Sequence, residues 1–387
     1  MHRIDDEQRR TRLGRRHLLA PSERAASVVT VADAVVALHA TDAATLYLSV
    51  CARLSEPGVA TVDRSLYEDV SLVRLLSMRN TLFTVSTEVA PFVDASNARA
   101  VAARERRTFL KHLREDGNVL DEPWLTETER ATLSALAERG RATGGELSAA
   151  VPALRTKITV FPGTKQETVQ GVASRVIRLL AADGRIRRDR PRGSWISSQF
   201  RWTAATPWPV TEPAGARTEM ALRWLRSYGP ATEADLKWWT GWGVRETRQA
   251  LTAAGAEEVL LDSGATGWVA PGDLAPEPPL EPWAALLPGL DPSAMGWTDR
   301  GFHLPVGHRA ALFDRAGNIG PTVWWNGAVV GGWAQRADGE LVWRLLSDVG
   351  RDATRHIEAE ASRLSAWVGE ARITPRFRTP LERELTT

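Results

Sequence analysis

Three stretches of this chain repeat one order of elements, helices followed by β structure, and that repetition limits the fold more than any bulk property. The clearest copy runs from about 125 to 205. Helices are expected at 126–139 and 144–151, then at 166–182, where Val169, Val172, Val176 and Leu179/Leu180 return at helical spacing. The turn pair Asp183-Gly184 stops that helix. A hairpin is expected from Arg185 to Arg190 and from Ser194 to Trp202, with Arg190-Pro191-Arg192-Gly193 at its tip.

The first copy is less regular. Val28, Val31, Val35 and Leu38 form one apolar stripe, and Ala43, Tyr47, Val50 and Leu54 form another. Register is lost between them at His39-Ala40-Thr41-Asp42, which predicts a helix break. A third helix is expected over 61–76, a short strand over Arg79–Val85, and helices to about 115. The third copy spans about 215–271, with helices at 216–227, 233–240 and 243–254. Thr232-Glu233-Ala234-Asp235 opens its middle helix as a capping-box variant, and Glu257–Asp262 pairs with Gly267–Ala270. Three helices followed by a strand, or by a basic hairpin as in the second copy, is winged-helix order. Five prolines between Pro271 and Pro282 then mark a boundary. Beyond it, strands are expected at 303–304, 310–314, 322–325, 328–335 and 341–346, with a helix at 351–368 and an extended tail over 372–385. The fold class is therefore α+β: tandem winged-helix units with a C-terminal small β-barrel-like domain. The divisions fall at 1–120, 121–210, 211–275 and 280–387.

Charge singles out the second unit. The whole chain carries 49 basic and 47 acidic residues, a net +2, yet residues 138–206 hold 13 basic against 5 acidic, a local +8. A basic helix face (Ser174, Arg175, Arg178) followed by a basic hairpin supplies one element for a DNA groove and another for its backbone. Lys165, Arg175, Arg178, Arg187, Arg188, Arg190 and Arg192 are the expected DNA contacts; the competing reading is a solvated surface hairpin. Arg79 suits either a phosphate in the first unit or a cap on its sheet. Lysine occurs only at Lys111, Lys157, Lys165 and Lys237, so 45 of the 49 basic residues are arginine. Arginine's planar fork suits phosphate, although a GC-rich genome also explains the bias. All 16 tryptophans lie at or after Trp124. The pairs Trp238-Trp239 and Trp324-Trp325 suit a buried core better than base stacking.

Several classes are excluded or weakened. One cysteine, Cys51, rules out an intrachain disulfide framework and a thiolate-rich zinc site. No phosphate loop, dinucleotide fingerprint, HExxH or GxSxG is present, and no histidines pair at metal-ligand spacing, so neither metal nor cofactor is expected. The N-terminus is too polar for a signal peptide, and no apolar run approaches ~18 residues. A monomeric, cytoplasmic protein with no membrane partner is expected.

An ordered set of short pieces then becomes recognisable: Leu38-His39-Ala40-Thr41-Asp42 with Tyr47 and Ala52-Arg53; Leu66-Tyr67 with Ser71-Leu72-Val73-Arg74; Met78-Arg79-Asn80-Thr81-Leu82; Tyr228-Gly229-Pro230-Ala231-Thr232. Leu290-Asp291-Pro292 to Met295-Gly296-Trp297, Gly331-Gly332-Trp333 and Thr374-Pro375-Arg376-Phe377 follow. Together, over about residues 10–385, they resemble the winged-helix DNA glycosylase family typified by the bacterial AlkZ and YcaQ proteins. The resemblance implies a C-shaped assembly of tandem winged helices plus a C-terminal β domain. It implies removal of alkylated or cross-linked purines from double-stranded DNA, in some members as self-resistance to a genotoxic natural product. The alternative is a non-catalytic winged-helix DNA-binding protein or transcription regulator.

That family's catalytic motif, Gln-x-Gln or Gln-x-Asp, falls where this chain has His39-Ala40-Thr41. An N7- or N3-alkylated purine is already cationic, so the base leaves readily while the sugar gains positive charge. The enzyme must place a water under C1′ and stabilise that charge. A neutral imidazole with a hydroxyl can hold the water, and Asp42 can assist electrostatically; a protonated His39 would repel the cation. His39 and Thr41 can act together only at a helix end or in an extended turn. The plainer reading makes Thr41 or Asp42 an N-cap and His39 a hydrogen-bonded residue at the break.

Overall fold

The computed structural model describes residues 1–115 and 120–387; residues 116–119, at the end of the first expected unit, lie outside it. The N-terminal strand His2–Ile4 runs parallel to Glu257–Leu261, and the helix Asp6–Arg16 follows, capped by the Asp5 side chain. The first unit contains helices Val28–Ala34, Ala43–Arg53 and Val59–Asp63, the last running into a wide turn at Arg64–Glu68. Leu72–Leu76 and Leu82–Ser86 form a hairpin, with Leu38–His39 added at the free edge of Leu82–Ser86. The expected helix over 61–76 is thus half strand. Leu72 packs into one core and Val73 and Leu75 into another on the opposite face. A run buried on both faces carries no period that separates strand from helix.

In the second unit, Glu122–Arg139 and Gly144–Ala150 form as expected, the latter opened by a reciprocal Thr143–Glu146 capping box. The expected helix over 166–182 divides: Thr168–Gly171 pairs antiparallel with Lys157–Val160, and only Ala173–Ala182 is helical. Val176, Ile177, Leu179 and Leu180 bury its inner face, each worth about 1.5–3 kcal/mol. Gly184, at φ +69°, ends it as expected, because the terminating turn needs a left-handed residue. Ile186–Asp189 pairs with Arg201–Ala204, and Arg141–Thr143 joins the outer side of the latter. The second strand thus begins later than expected, which leaves a longer tip over 190–200. Its apolar residues share a core with Phe109, Leu110 and Leu113 of the preceding helix, Arg99–Glu115.

The third unit matches its expected elements: helices Pro213–Tyr228, Glu233–Thr240 and Val244–Ala253, then a hairpin of Glu257–Leu261 with Thr266–Val269. The capping box at Thr232 and Asp235 forms in both directions. Trp239 and Trp324 are buried and Trp238 and Trp325 partly so, as core residues.

The C-terminal region corrects the barrel expectation. Its four strands, Ala284–Leu287, Thr322–Trp325, Ala328–Gln335 and Leu341–Leu345, form an open antiparallel sheet in that order, with no pairing between the outer two. Closure is unnecessary because both faces are covered. Ala284, Leu286, Val323, Val330 and Trp333 pack under the helix Gly350–Val368, while Ala285, Leu287, Trp324, Val329 and Ala334 face the large shared core. Two expected strands differ as well: 303–304 is a turn and 310–314 is mostly the short helix Arg309–Leu312. The expected extended tail ends in a helix, Pro380–Thr386, whose Leu381 and Leu385 enter the shared core. No helix among the described residues is long and apolar enough to cross a membrane.

A buried ion pair ties the first unit to the C-terminal region. Arg53 and Asp291, both inaccessible to solvent, meet through two guanidinium nitrogens at 2.7 and 2.9 Å. Ser49 Oγ and the Ser293 N–H also donate to that carboxylate. Asp291 opens the short helix Pro292–Met295, while Arg53 closes the helix that begins at Ala43.

Candidate functional site

The break at residues 39–42 is a strand edge turning into a helix. Leu38 lies opposite Thr84 and His39 opposite Phe83. Ala40 N–H then donates to the Leu82 carbonyl at 2.9 Å, and the chain enters the helix Ala43–Arg53. Asp42 is its N-cap. One carboxylate oxygen accepts from Ala44 N–H at 3.0 Å and the other from Arg376 N–H at 2.9 Å. One short side chain therefore starts a helix and fastens the distant Thr374–Phe377 segment to it.

His39 is 5% exposed and meets the Phe83 ring edge-on at 5.1 Å. Its register partner places it on the sheet face that carries Leu75, Phe83 and Val85, away from Arg74 and Leu76. Its Nδ1 accepts a long hydrogen bond, 3.4 Å, from the Thr41 N–H. Burial, and then the nearby Arg79 charge, push its pKa down to about 4, so the imidazole is neutral at physiological pH. The Thr41 hydroxyl is buried and has no hydrogen-bond partner. Buried polar atoms are nearly always partnered, which makes this one notable.

Thr41 lines a cleft of about 1000 Å³ between the 72–86 hairpin and the second unit's helix Ala173–Ala182 and strands Ile186–Asp189 and Arg201–Ala204. His39 and Asp42 are not part of its wall. Six arginines line it, namely Arg74, Arg175, Arg178, Arg187, Arg188 and Arg376, against one carboxylate, Glu105. The volume is that of a site for a nucleotide-sized ligand, and the charge suits phosphate.

The expected basic contacts separate into groups. Arg175, Arg178, Arg187 and Arg188 are in the cleft wall. Arg175 bonds Gln170 at 3.1 Å and His112 at 3.2 Å, and Arg178 bonds Glu105 at 3.0 Å and Asn80 at 3.3 Å. The Arg187 side chain has no hydrogen bond or ion pair among the described residues. The Arg188 guanidinium lies 4.2 Å from the Phe200 ring centre, and burial together with Arg74, Arg376 and Arg178 lowers its pKa to about 10. Crowded cations of this kind favour a polyanion. Arg190 bonds Glu68 at 2.9 Å and Arg192 lies 3.8 Å from Glu146, both outside the wall. Lys165 sits on the exposed loop between Lys157–Val160 and Thr168–Gly171. Arg79, at φ +51°, turns away from the cleft and stacks on Trp238 at 4.0 Å.

Sequence reasoning missed Arg74, Asn80 and Arg376 as site residues. Arg74 stands on the hairpin beside the Tyr67 hydroxyl, 3.2 Å away, and Arg376 arrives from the C-terminal segment held by Asp42. A signal was present: all three lie in the short pieces that carry the family resemblance. Among the described residues, no three His, Cys, Asp or Glu side chains are placed to hold a metal ion.

Comparison with known proteins completes the picture. Residues 32–367 match the model of the AlkZ-like DNA glycosylase family. Among solved structures, the DNA glycosylase AlkZ of Streptomyces sahachiroi has the same overall fold, with a TM-score of 0.71 and 23% sequence identity, over 96% of this chain and 98% of that one. No curated protein matches. With a family match across most of its length, and an arginine-lined cleft where Thr41 meets the basic second unit, the chain belongs to the AlkZ-like DNA glycosylases.

Proposed function

We propose that the enzyme excises purines carrying bulky or cationic N7 or N3 adducts from double-stranded DNA, by hydrolysis of the N-glycosidic bond. The observation that carries this reading is the cleft itself: Thr41 lines a cavity into whose wall six arginines are built. In this reading the first three regions act as winged-helix units divided near 120, 210 and 275, and the protein works as a monomer on chromosomal DNA in the cytoplasm. Arg74, Arg175, Arg178, Arg187, Arg188 and Arg376 hold the backbone at the lesion. Arg190, Arg192 and Lys165 extend the contact along the duplex, while Arg79 braces the hairpin from behind.

The chemistry asks little of acid catalysis, since the adducted base departs without its own charge having to be supplied. Thr41 holds the attacking water beneath C1′. His39 is a positioning residue: its neutral ring fixes the Thr41 backbone and adds no positive charge beside the developing oxocarbenium ion. Asp42 caps the helix that follows Thr41, anchors Arg376 and contributes negative charge nearby. In a cell that makes a DNA-alkylating metabolite, such excision amounts to self-resistance.

The test is release of base from a duplex containing a single N7-methylguanine or a bulkier N7-alkylguanine, read as alkali-labile abasic sites. Wild type is expected to exceed spontaneous depurination, and Thr41→Ala to lose at least tenfold. Salt-sensitive binding with no abasic sites on any adduct would sink the catalytic reading and leave a non-catalytic DNA-binding protein.

A further inference from the structure

The wing of the second unit does not end in solvent. Its tip, residues 190–200, crosses to the first unit and the C-terminal region. The Trp195 ring lies 5.1 Å from that of Tyr47, on the helix Ala43–Arg53, and 5.9 Å from that of Trp367, near the end of the helix Gly350–Val368. Ile196 packs beside it against the core under that second helix. At the base of the tip, Arg190 bonds Glu68 at 2.9 Å and lies 3.9 Å from Asp63. Tyr67 stands between two arginines, with the guanidinium carbons of Arg74 and Arg190 at 5.5 and 5.6 Å from its ring centre. Arg74 belongs to the first unit's wall of the arginine cleft, and Arg188 to the wall opposite. The docked tip therefore joins the two walls and shuts that end of the cleft.

The contacts that hold the tip are of a kind that lets go. Among the described residues, 193–200 form hydrogen bonds only within the tip, such as Ser197 N–H to the Ser194 carbonyl and Arg192 N–H to the Gln199 carbonyl. These travel with the tip when it moves. The pair of Arg190 with Glu68 is exposed on both sides and open to screening by salt. Trp195 and Ile196 are only partly buried. One half-covered aromatic contact and one exposed ion pair make a segment that opens locally while the rest of the fold stays intact. A polyanion favours the open state. Docked, Arg190 is occupied by Glu68, and Arg192 lies 3.8 Å from Glu146. A phosphate competes for both guanidiniums as a bidentate, charged acceptor, and only such a difference in affinity between two states lets a ligand shift them.

We propose that the wing tip is a clasp across the arginine cleft, latched by Trp195, and that duplex DNA opens it by drawing Arg190 from Glu68 to a phosphate. The inference rests on the cleft being a DNA site, as the function proposed above requires. Closed, the clasp bars one end of the cleft in the free enzyme. Open, the wing lies along the duplex backbone. Release of the Trp195 latch then limits association, so weakening the latch speeds it.

The experiment uses the full chain carrying Arg190→Cys and Glu68→Cys, joined by a reducible bis-methanethiosulfonate reagent of the length the ion pair spans. Cys51, the one native cysteine, is buried and its pKa is pushed up to about 12 by that burial, so it stays unreactive. Binding of a fluorescein-labelled duplex with one N7-methylguanine is followed by anisotropy. The locked form is expected to bind at least tenfold more weakly than the same protein after reduction, or after capping of both thiols with methyl methanethiosulfonate. Trp195→Ser is expected to associate at least threefold faster than wild type in stopped flow. Equal binding by locked and reduced forms, or capped protein as weak as locked, overturns the clasp; association of Trp195→Ser no faster than wild type removes the latch. Abasic sites on the same duplex are scored in parallel. Base release by wild type, with locked and reduced forms binding alike, defeats the clasp and keeps the glycosylase. No base release, with binding that the lock abolishes, does the reverse, and no duplex binding by any form refutes both.

Discussion

Replacing Asp291 by asparagine removes one charge from a pair that has no contact with water. Arg53 and Asp291 are both fully buried, and the carboxylate accepts from two guanidinium nitrogens, the Ser49 hydroxyl and the Ser293 N–H. Burial alone would raise the Asp291 pKa, yet the charge and hydrogen bonds of Arg53 overcome this and hold it below the usual carboxylate range. An amide in its place would keep the shape but leave the guanidinium charged, buried and facing a group that can match only part of its demand. Breaking one side of such a pair costs about 3–5 kcal/mol, a large share of a typical total stability of about 5–15 kcal/mol. Arg53 also closes the helix whose other end carries Asp42 and Thr41, so the same change should loosen the cleft wall. Urea unfolding followed by tryptophan fluorescence measures the loss, and a cycle of Arg53→Met, Asp291→Leu and the double variant Arg53→Met/Asp291→Leu apportions it. The double variant should be far less damaged than Asp291→Asn, because no charge stays stranded. A loss below about 1 kcal/mol for Asp291→Asn, at unchanged urea dependence, would refute the reasoning from stranded buried charge.

Four further outcomes are expected. His17 and His39 have pKa values lowered by burial first, to about 3 and about 4, so the unfolded chain binds more protons than the folded one below about pH 6.5. Stability should be complete above that pH and fall as acid is added, by about 2 kcal/mol per histidine at pH 5, seen in urea midpoints across pH 5–8. Excision by contrast should be nearly flat from pH 6 to 8, since His39 stays neutral throughout; a step near pH 6.5 removed by His39→Gln would contradict the neutral assignment. Arg187→Ala should weaken DNA binding without altering stability and should reduce the slope of log affinity against log salt by about 0.9, the effect of one lost phosphate contact. Asp42→Ala should cost about 1 kcal/mol as a lost helix cap, in thermal or urea unfolding. It should also slow excision by releasing Arg376 from the cleft wall.

What could be read in the sequence followed from local patterning, and what could not followed from partners far along the chain. The stripe of Val176, Leu179 and Leu180, the stop at Gly184 and the Thr232–Asp235 capping box are each set within one or two turns, and each formed as expected. Val169 continues that stripe in sequence but is 64% exposed on a two-stranded ribbon, because Lys157–Val160 claims its backbone. Leu72–Leu76 likewise reads as helix until cores on both sides are known. The same contrast governs the site. A charge count found the basic second unit, but Glu105 and Glu68, from the first unit, partly occupy Arg178 and Arg190. Arg74 and Arg376, one from the first unit and one from the C-terminal segment, restore the positive wall. Charge in a segment therefore located the half of the cleft that is contiguous, while the other half depends on a hairpin turn and on one aspartate fastening the C-terminal segment. Asp42 joins the two accounts: a single sequence position that reads as a helix cap is also the device that brings Arg376 to Thr41. Cap and site are one arrangement here, which is why a residue with an ordinary structural explanation still governs the geometry on which the chemistry depends.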